Sequence, residues 1–167
     1  MSESTKNFTI EVEGTEKHCP SGERYAQKML EEGKIPVFSC EGGCIRGEIA
    51  RLVANMVAKD GPYARCCHAE TFTLPNSAMF RWATNAPRVV MIDGCFLKCH
   101  GRILKNIVDE KRIIHFDALS HYKRYSDLFD MEAVPEEERK EVAREVADWV
   151  LKVLENKQAE ERGVAPE

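Results

Sequence analysis

The apolar residues of this chain alternate between two patterns. Short, nearly unbroken apolar runs at Ile35–Ser39 (IPVFS), Val89–Ile92 (VVMI) and Arg112–Phe116 (RIIHF) predict strands covered on both faces. Tyr63–Cys67 (YARCC) is a shorter strand candidate, rich in cysteine. Between these runs the apolar positions recur at helical spacing. Tyr25, Met29 and Leu30 share a face of a helix over Ser21–Glu32, which Ser21 can cap and Gly33 can end. Ile49, Leu52, Val53, Met56 and Val57 give a second helix, from about Glu48 to Lys59, a broad apolar side. A helix over Pro75–Thr84 precedes the Val89 run. Another is predicted from Gly94 to about Glu110, burying Leu97, Ile103, Leu104, Ile107 and Val108. Pro135 opens the last helix, where Val142, Val146, Trp149, Val150, Val153 and Leu154 form a stripe. Phe8–Val12 could form one more strand, without a strong register.

Alternating strands and helices predict an α/β fold in three layers: a mostly parallel sheet of about four strands, flanking helices and a C-terminal amphipathic helix. The expected organisation is an N-terminal extension with a short helix (1–33), an α/β domain (34–118), and a linker with the C-terminal helix packed on that domain (119–167).

Composition narrows the functional classes. The 167 residues carry a formal net charge of −4 and no evident basic stripe, so no nucleic-acid partner is expected. No apolar stretch is long enough to span a membrane, and the first residues lack the regions of a signal peptide. A soluble, cytoplasmic protein is the expectation.

Seven cysteines change this picture: Cys19, Cys40, Cys44, Cys66, Cys67, Cys95 and Cys99. In a reducing compartment they point to metal binding or thiol chemistry rather than structural disulfides. Cys66 and Cys19 also fit ordinary packing and turn roles. His18-Cys19-Pro20 reads as the turn before the first helix, with a ligand pair as its alternative.

In a parallel sheet, sites form beyond the carboxyl ends of the strands. Cys40, Cys67 and Cys95 each end or follow a predicted strand, and Cys99 lies one helical turn beyond Cys95 if a helix starts after Gly94. Alternation sends Cys66 and Cys67 to opposite faces, so only one of them can join such a cluster. Four thiolates at one edge suit tetrahedral Zn²⁺. Cys44, His68 and His100 are further candidate ligands. Asp93 can cap the following helix or orient the cluster through backbone hydrogen bonds.

These residues resemble the DGC-domain family, whose members are described as zinc-binding proteins. The resemblance rests on Asp93-Gly94-Cys95, on the Cys95–Cys99 spacing, on SCEGG at Ser39–Gly43 and on RCCHAE at Arg65–Glu70, and it covers roughly Val37 to Phe116. It implies Cys40, Cys67, Cys95 and Cys99 as ligands, with Cys67 rather than Cys66 in register. The chain departs from many relatives after the second cysteine, where HAETFTLPNS replaces a glycine-rich stretch. The metal and an unidentified protein are the expected partners, and a binding protein is favoured over an enzyme.

Two alternatives use the same thiols differently. Cys40 and Arg46 fit C-x5-R, a loop in which backbone N–H groups and the arginine cradle an oxyanion while the cysteine attacks it, as in low-molecular-weight phosphatases and arsenate reductases. Gly47 stands where those enzymes place a hydroxyl residue, and the chain has no Asp-Pro for their general acid. The other alternative is a thiol or persulfide redox carrier using Cys40 with Cys44, or Cys95 with Cys99. An accessible cluster of this kind would also accept copper(I) or trivalent arsenic.

Overall fold

Four parallel strands form one sheet in the order β2-β1-β3-β4, with β1 at Ile35–Ser39, β2 at Tyr63–Arg65, β3 at Val89–Asp93 and β4 at Ile113–Asp117. The coordinates come from a computed structural model that describes residues 7–161 and 163. All five residues of β3 are buried, as its continuous apolar run requires of a strand between two others.

Among the described residues seven α-helices connect and cover the strands: α1 (Pro20–Glu31), α2 (Ile45–Val57), α3 (His68–Thr73), α4 (Ala78–Asn85), α5 (Cys99–Leu104), α6 (Ala118–Tyr122) and α7 (Glu136–Glu161). Alternation along the strands divides the core in two. Val37, Val90, Ile92 and Phe116 face α2 and α7 in one cluster. Phe38, Val89 and Met91 face α1 and α4 in the other, around Trp82. Each fully buried side chain of this size contributes on the order of 1.5–3 kcal/mol. The Trp82 indole N–H donates to the Lys34 carbonyl at 2.8 Å, so its burial leaves no polar group unpaired.

The C-terminal helix is part of the core. Val142, Ala143, Val146, Ala147, Val150 and Leu154 are buried in the cluster with α2. Arg139 and Glu48 add an ion pair between α7 and α2, with nitrogen and oxygen 2.9 Å apart.

Several predicted boundaries differ from those observed. Phe8–Val12 is irregular and exposed, and it pairs with no strand of the sheet. The α2 helix starts at Ile45, so Arg46 and Gly47 occupy its first turn. His68–Thr73, between the predicted Tyr63–Cys67 strand and Pro75–Thr84 helix, is helical as well. The largest difference follows Gly94. Residues 94–98 form a turn, Lys98 adopts a left-handed conformation with φ of 50°, and α5 begins only at Cys99. Cys95 and Cys99 therefore do not share one helix face, and Leu97 and Ile103 are exposed rather than buried. Among the described residues no helix is long and apolar enough to cross a membrane.

Candidate metal centre

The strand order changes direction between β1 and β3: from β1 the chain moves outward to β2, then returns across β1 to β3 and on to β4. In open parallel sheets ligands bind at such a switch point, which here lies at the carboxyl ends of β1 and β3. Cys40 and Asp93 stand there. The Cys40 N–H donates to the Ile92 carbonyl at 2.9 Å, so Cys40 still holds the ladder register of the sheet.

Ligand atoms of Cys40, Asp93 and His100 lie within 4.8 Å of one another. The group draws on β1, β3 and α5, and its half-buried Cys40 and His100 flank a buried Asp93. Asp93 also closes α5: its Oδ1 accepts the His100 N–H at 3.3 Å and its Oδ2 the Gly101 N–H at 3.0 Å. His115 Nε2 reaches the same Oδ2 at 2.7 Å. The carboxylate thus holds α5 against the strand ends and sets the place of His100, as residues behind a metal ligand commonly do. Two close approaches depend on glycine. A Cβ on Gly101 would meet His115 Cε1 at 2.4 Å, and one on Gly94 would meet the Arg46 carbonyl oxygen at 2.5 Å.

The electrostatics suit a cation at this point. Burial pushes the Cys40 thiol above its ordinary value, N–H groups of Gly42 and Gly94 pull it back, and the charges of Asp93 and Cys99 push it further up. The balance favours the thiol until a positive charge arrives. His100 Nδ1 is buried without a hydrogen-bond partner. The His100 ring meets His68 edge to face, with centroids 4.7 Å apart. Burial and then the charge of His100 depress the His68 pKa, which keeps that imidazole neutral, the form that ligates metals.

The remaining sequence-predicted residues surround this group without closing on it. No three of Cys40, Cys67, Cys95 and Cys99 have sulfur atoms within 4.8 Å of one another among the described residues. Cys67 is exposed at the N-cap of α3, Cys95 is half-buried in the turn after Gly94, and Cys99 is exposed at the first position of α5. Cys44 is the N-cap of α2. Cys66 is buried against Thr71 and Met79, and burial pushes its thiol up to about 12. Cys19 caps α1, its sulfur accepting the Gly22 N–H at 3.3 Å.

The arginine of C-x5-R is engaged elsewhere. Arg46 Nη1 donates to the Ser126 carbonyl at 3.0 Å. A Cβ on Gly47 would meet the Gly42 carbonyl oxygen at 2.2 Å, so a hydroxyl residue has no room at that position.

Two parts of the site escaped the sequence reading. His115 sits in an apolar strand, and only the pairing of Met91 with His115 and of Asp93 with Asp117 brings it beside Asp93. A clamp of Ser39, Glu41 and Arg65 secures the base of the Cys40 loop: Ser39 Oγ donates to Glu41 Oε1 at 2.6 Å, and Arg65 Nη2 donates to both at 2.9 Å.

A half-buried thiol, an imidazole with an unpartnered nitrogen and further thiols nearby form a donor set that fits a soft divalent cation. The family model of the DGC domain matches residues 36–146, which takes in the sheet from Pro36 onward and runs past Phe116 into α7. No curated protein and no solved structure matches the chain. The match covers well over half of the sequence and contains both the Asp93-Gly94-Cys95 turn and the strand-end Cys40, and the chain belongs to the DGC-domain family.

Proposed function

We propose that the protein binds Zn²⁺ or another soft divalent ion at the carboxyl edge of its sheet. Cys40 and His100 are the central donors in this reading. Cys95, Cys99 and Cys67 supply further thiolates from the adjoining segments, and Asp93 holds α5 and hence His100 in position. The convergence of Cys40, Asp93 and His100 within 4.8 Å, from three separate elements, carries the reading. The buried, unpartnered Nδ1 of His100 supports it, because burying a polar atom without a partner costs about 1–3 kcal/mol unless something satisfies it. When bound, the metal would supply charge neutralisation for the thiolates and a cross-link between β1 and α5.

The test is zinc content and affinity, measured on anaerobically purified protein by elemental analysis and by competition with a chromogenic chelator. Wild type should hold about one zinc per chain. Cys40→Ser and His100→Ala should each weaken binding by tenfold or more, about 1.4 kcal/mol, while Cys66→Ser should not. Wild-type zinc affinity in a folded Cys40→Ser/His100→Ala double variant would end the reading.

A further inference from the structure

We propose that the open edge of β4 receives an extended, acidic segment of a partner protein. A groove of about 580 Å³ follows this edge along the unbroken run from Lys111 to Asp117, with Trp149, Val153 and Lys157 of α7 as its opposite wall. β4 has a neighbour on one side only. Half of its backbone N–H and C=O groups therefore face outward, as a strand edge ready to pair. Among the described residues no hydrogen bond from another segment reaches the backbone of Ile114, His115 or Phe116 on that side. A second chain in extended conformation satisfies both the donors and the acceptors of such an edge.

Charge selects the occupant. Lys98, Lys111 and Lys157 line the groove with no carboxylate partner among the described residues, whereas the cation of Arg88 is answered by Glu161. The chain as a whole is acidic, so these lysines stand out from its net charge of −4. Their arrangement fits carboxylates spaced along a strand. Glu160 and Asp117 also line the groove and repel a continuous polyanion, and outward carbonyl groups have nothing to accept from phosphates. An acidic peptide strand meets all of these requirements, and a nucleic acid does not. The groove runs on to Lys98, the residue before Cys99, so a bound strand would end beside the candidate metal centre.

Fluorescence anisotropy with a labelled peptide of alternating glutamate and valine tests this directly. Saturable binding is expected, weakening as salt is raised. The alternating lysine–valine peptide should bind at least about tenfold less well, and so should the glutamate peptide to the exposed double variant Lys111→Glu/Lys157→Glu. Hydrogen exchange should slow at the amides of residues 113–116 when the acidic peptide is bound. Absence of saturable binding, equal binding of the two peptides or an unaffected double variant would overturn the proposal. So would stronger competition by single-stranded DNA than by the unlabelled peptide, or a homodimer of the free protein, seen by sedimentation, that pairs its own β4 edges.

Discussion

Asp93 and His115 are joined by a 2.7 Å hydrogen bond across the carboxyl ends of β3 and β4, at the point where Asp93 also takes the first free N–H groups of α5. With Asp93 as the carboxylate, which only accepts, Nε2 is the donor in this bond. One buried side chain thereby ties two strands and a helix behind the candidate ligand His100. The Asp of the Asp93-Gly94-Cys95 turn is a positioning residue first, and its free lone pairs are few.

Replacing Asp93 should consequently act on stability and metal affinity together. Asp93→Ala leaves two N–H groups and an imidazole without their acceptor and should cost about 3 kcal/mol. His115→Ala removes one of the three bonds and should cost about 1–1.5 kcal/mol. Urea unfolding of both variants, paired with zinc titration, measures the two effects. An Asp93→Ala protein as stable as wild type would mean that α5 is held by something else.

Gly47 explains why a phosphatase-like hydroxyl is missing from the Cys40 loop. A Cβ there would lie 2.2 Å from the carbonyl oxygen and 2.7 Å from the nitrogen of Gly42, and backbone cannot move aside as a side chain can. Gly47→Ala should destabilise the protein by about 1–3 kcal/mol through overpacking. Gly47→Ser should do the same and bring no hydrolysis of p-nitrophenyl phosphate. A stable, phosphatase-active Gly47→Ser protein would revive the C-x5-R reading.

The sheet was legible because its strands are short apolar runs between helices with clear stripes. Ile35–Ser39 and Val89–Ile92 could hardly be anything else in a chain with this alternation. The α7 stripe was equally clear. The turn at 94–98 was not, because Leu97 and Ile103 keep a helical spacing while facing solvent, and nothing local announces the left-handed Lys98. Strand-end reasoning led to Cys40 and to the edge where it sits. It offered His100 only as a further candidate, because its approach to Cys40 depends on how Asp93 holds α5. The role of His115 required the β3–β4 register, which is a tertiary fact.

Cys66 separates packing from chemistry among the seven cysteines. Its thiol is buried, and burial raises its pKa from an ordinary value of 9.0 to about 12. A thiol whose pKa is higher when folded adds stability that is fully present below the unfolded pKa and is lost as pH rises through the folded one. The loss should fall between about pH 9 and 12, with an upper limit of about 4 kcal/mol. Buried tyrosines such as Tyr122 shift the same way, so the informative quantity is a difference. Wild type should lose more stability than Cys66→Ala over that window in urea unfolding. Parallel pH curves would show that Cys66 does not remain protonated for structural reasons.

Cys40 should behave in the opposite sense, as a thiol that surrenders its proton to a metal. Burial raises its pKa, so near neutral pH the free protein carries the proton. Binding a divalent ion through the thiolate must then release it, and affinity must rise with pH until the free thiol ionises by itself. Calorimetric zinc titrations in buffers of different ionisation enthalpy count the protons released. Cys40→Ser should release about one fewer proton per zinc than wild type near neutral pH, and its affinity should depend less steeply on pH. Equal proton release in the two proteins would show that Cys40 stays a thiol when zinc binds, and the donors would then have to be sought among Cys67, Cys95 and Cys99.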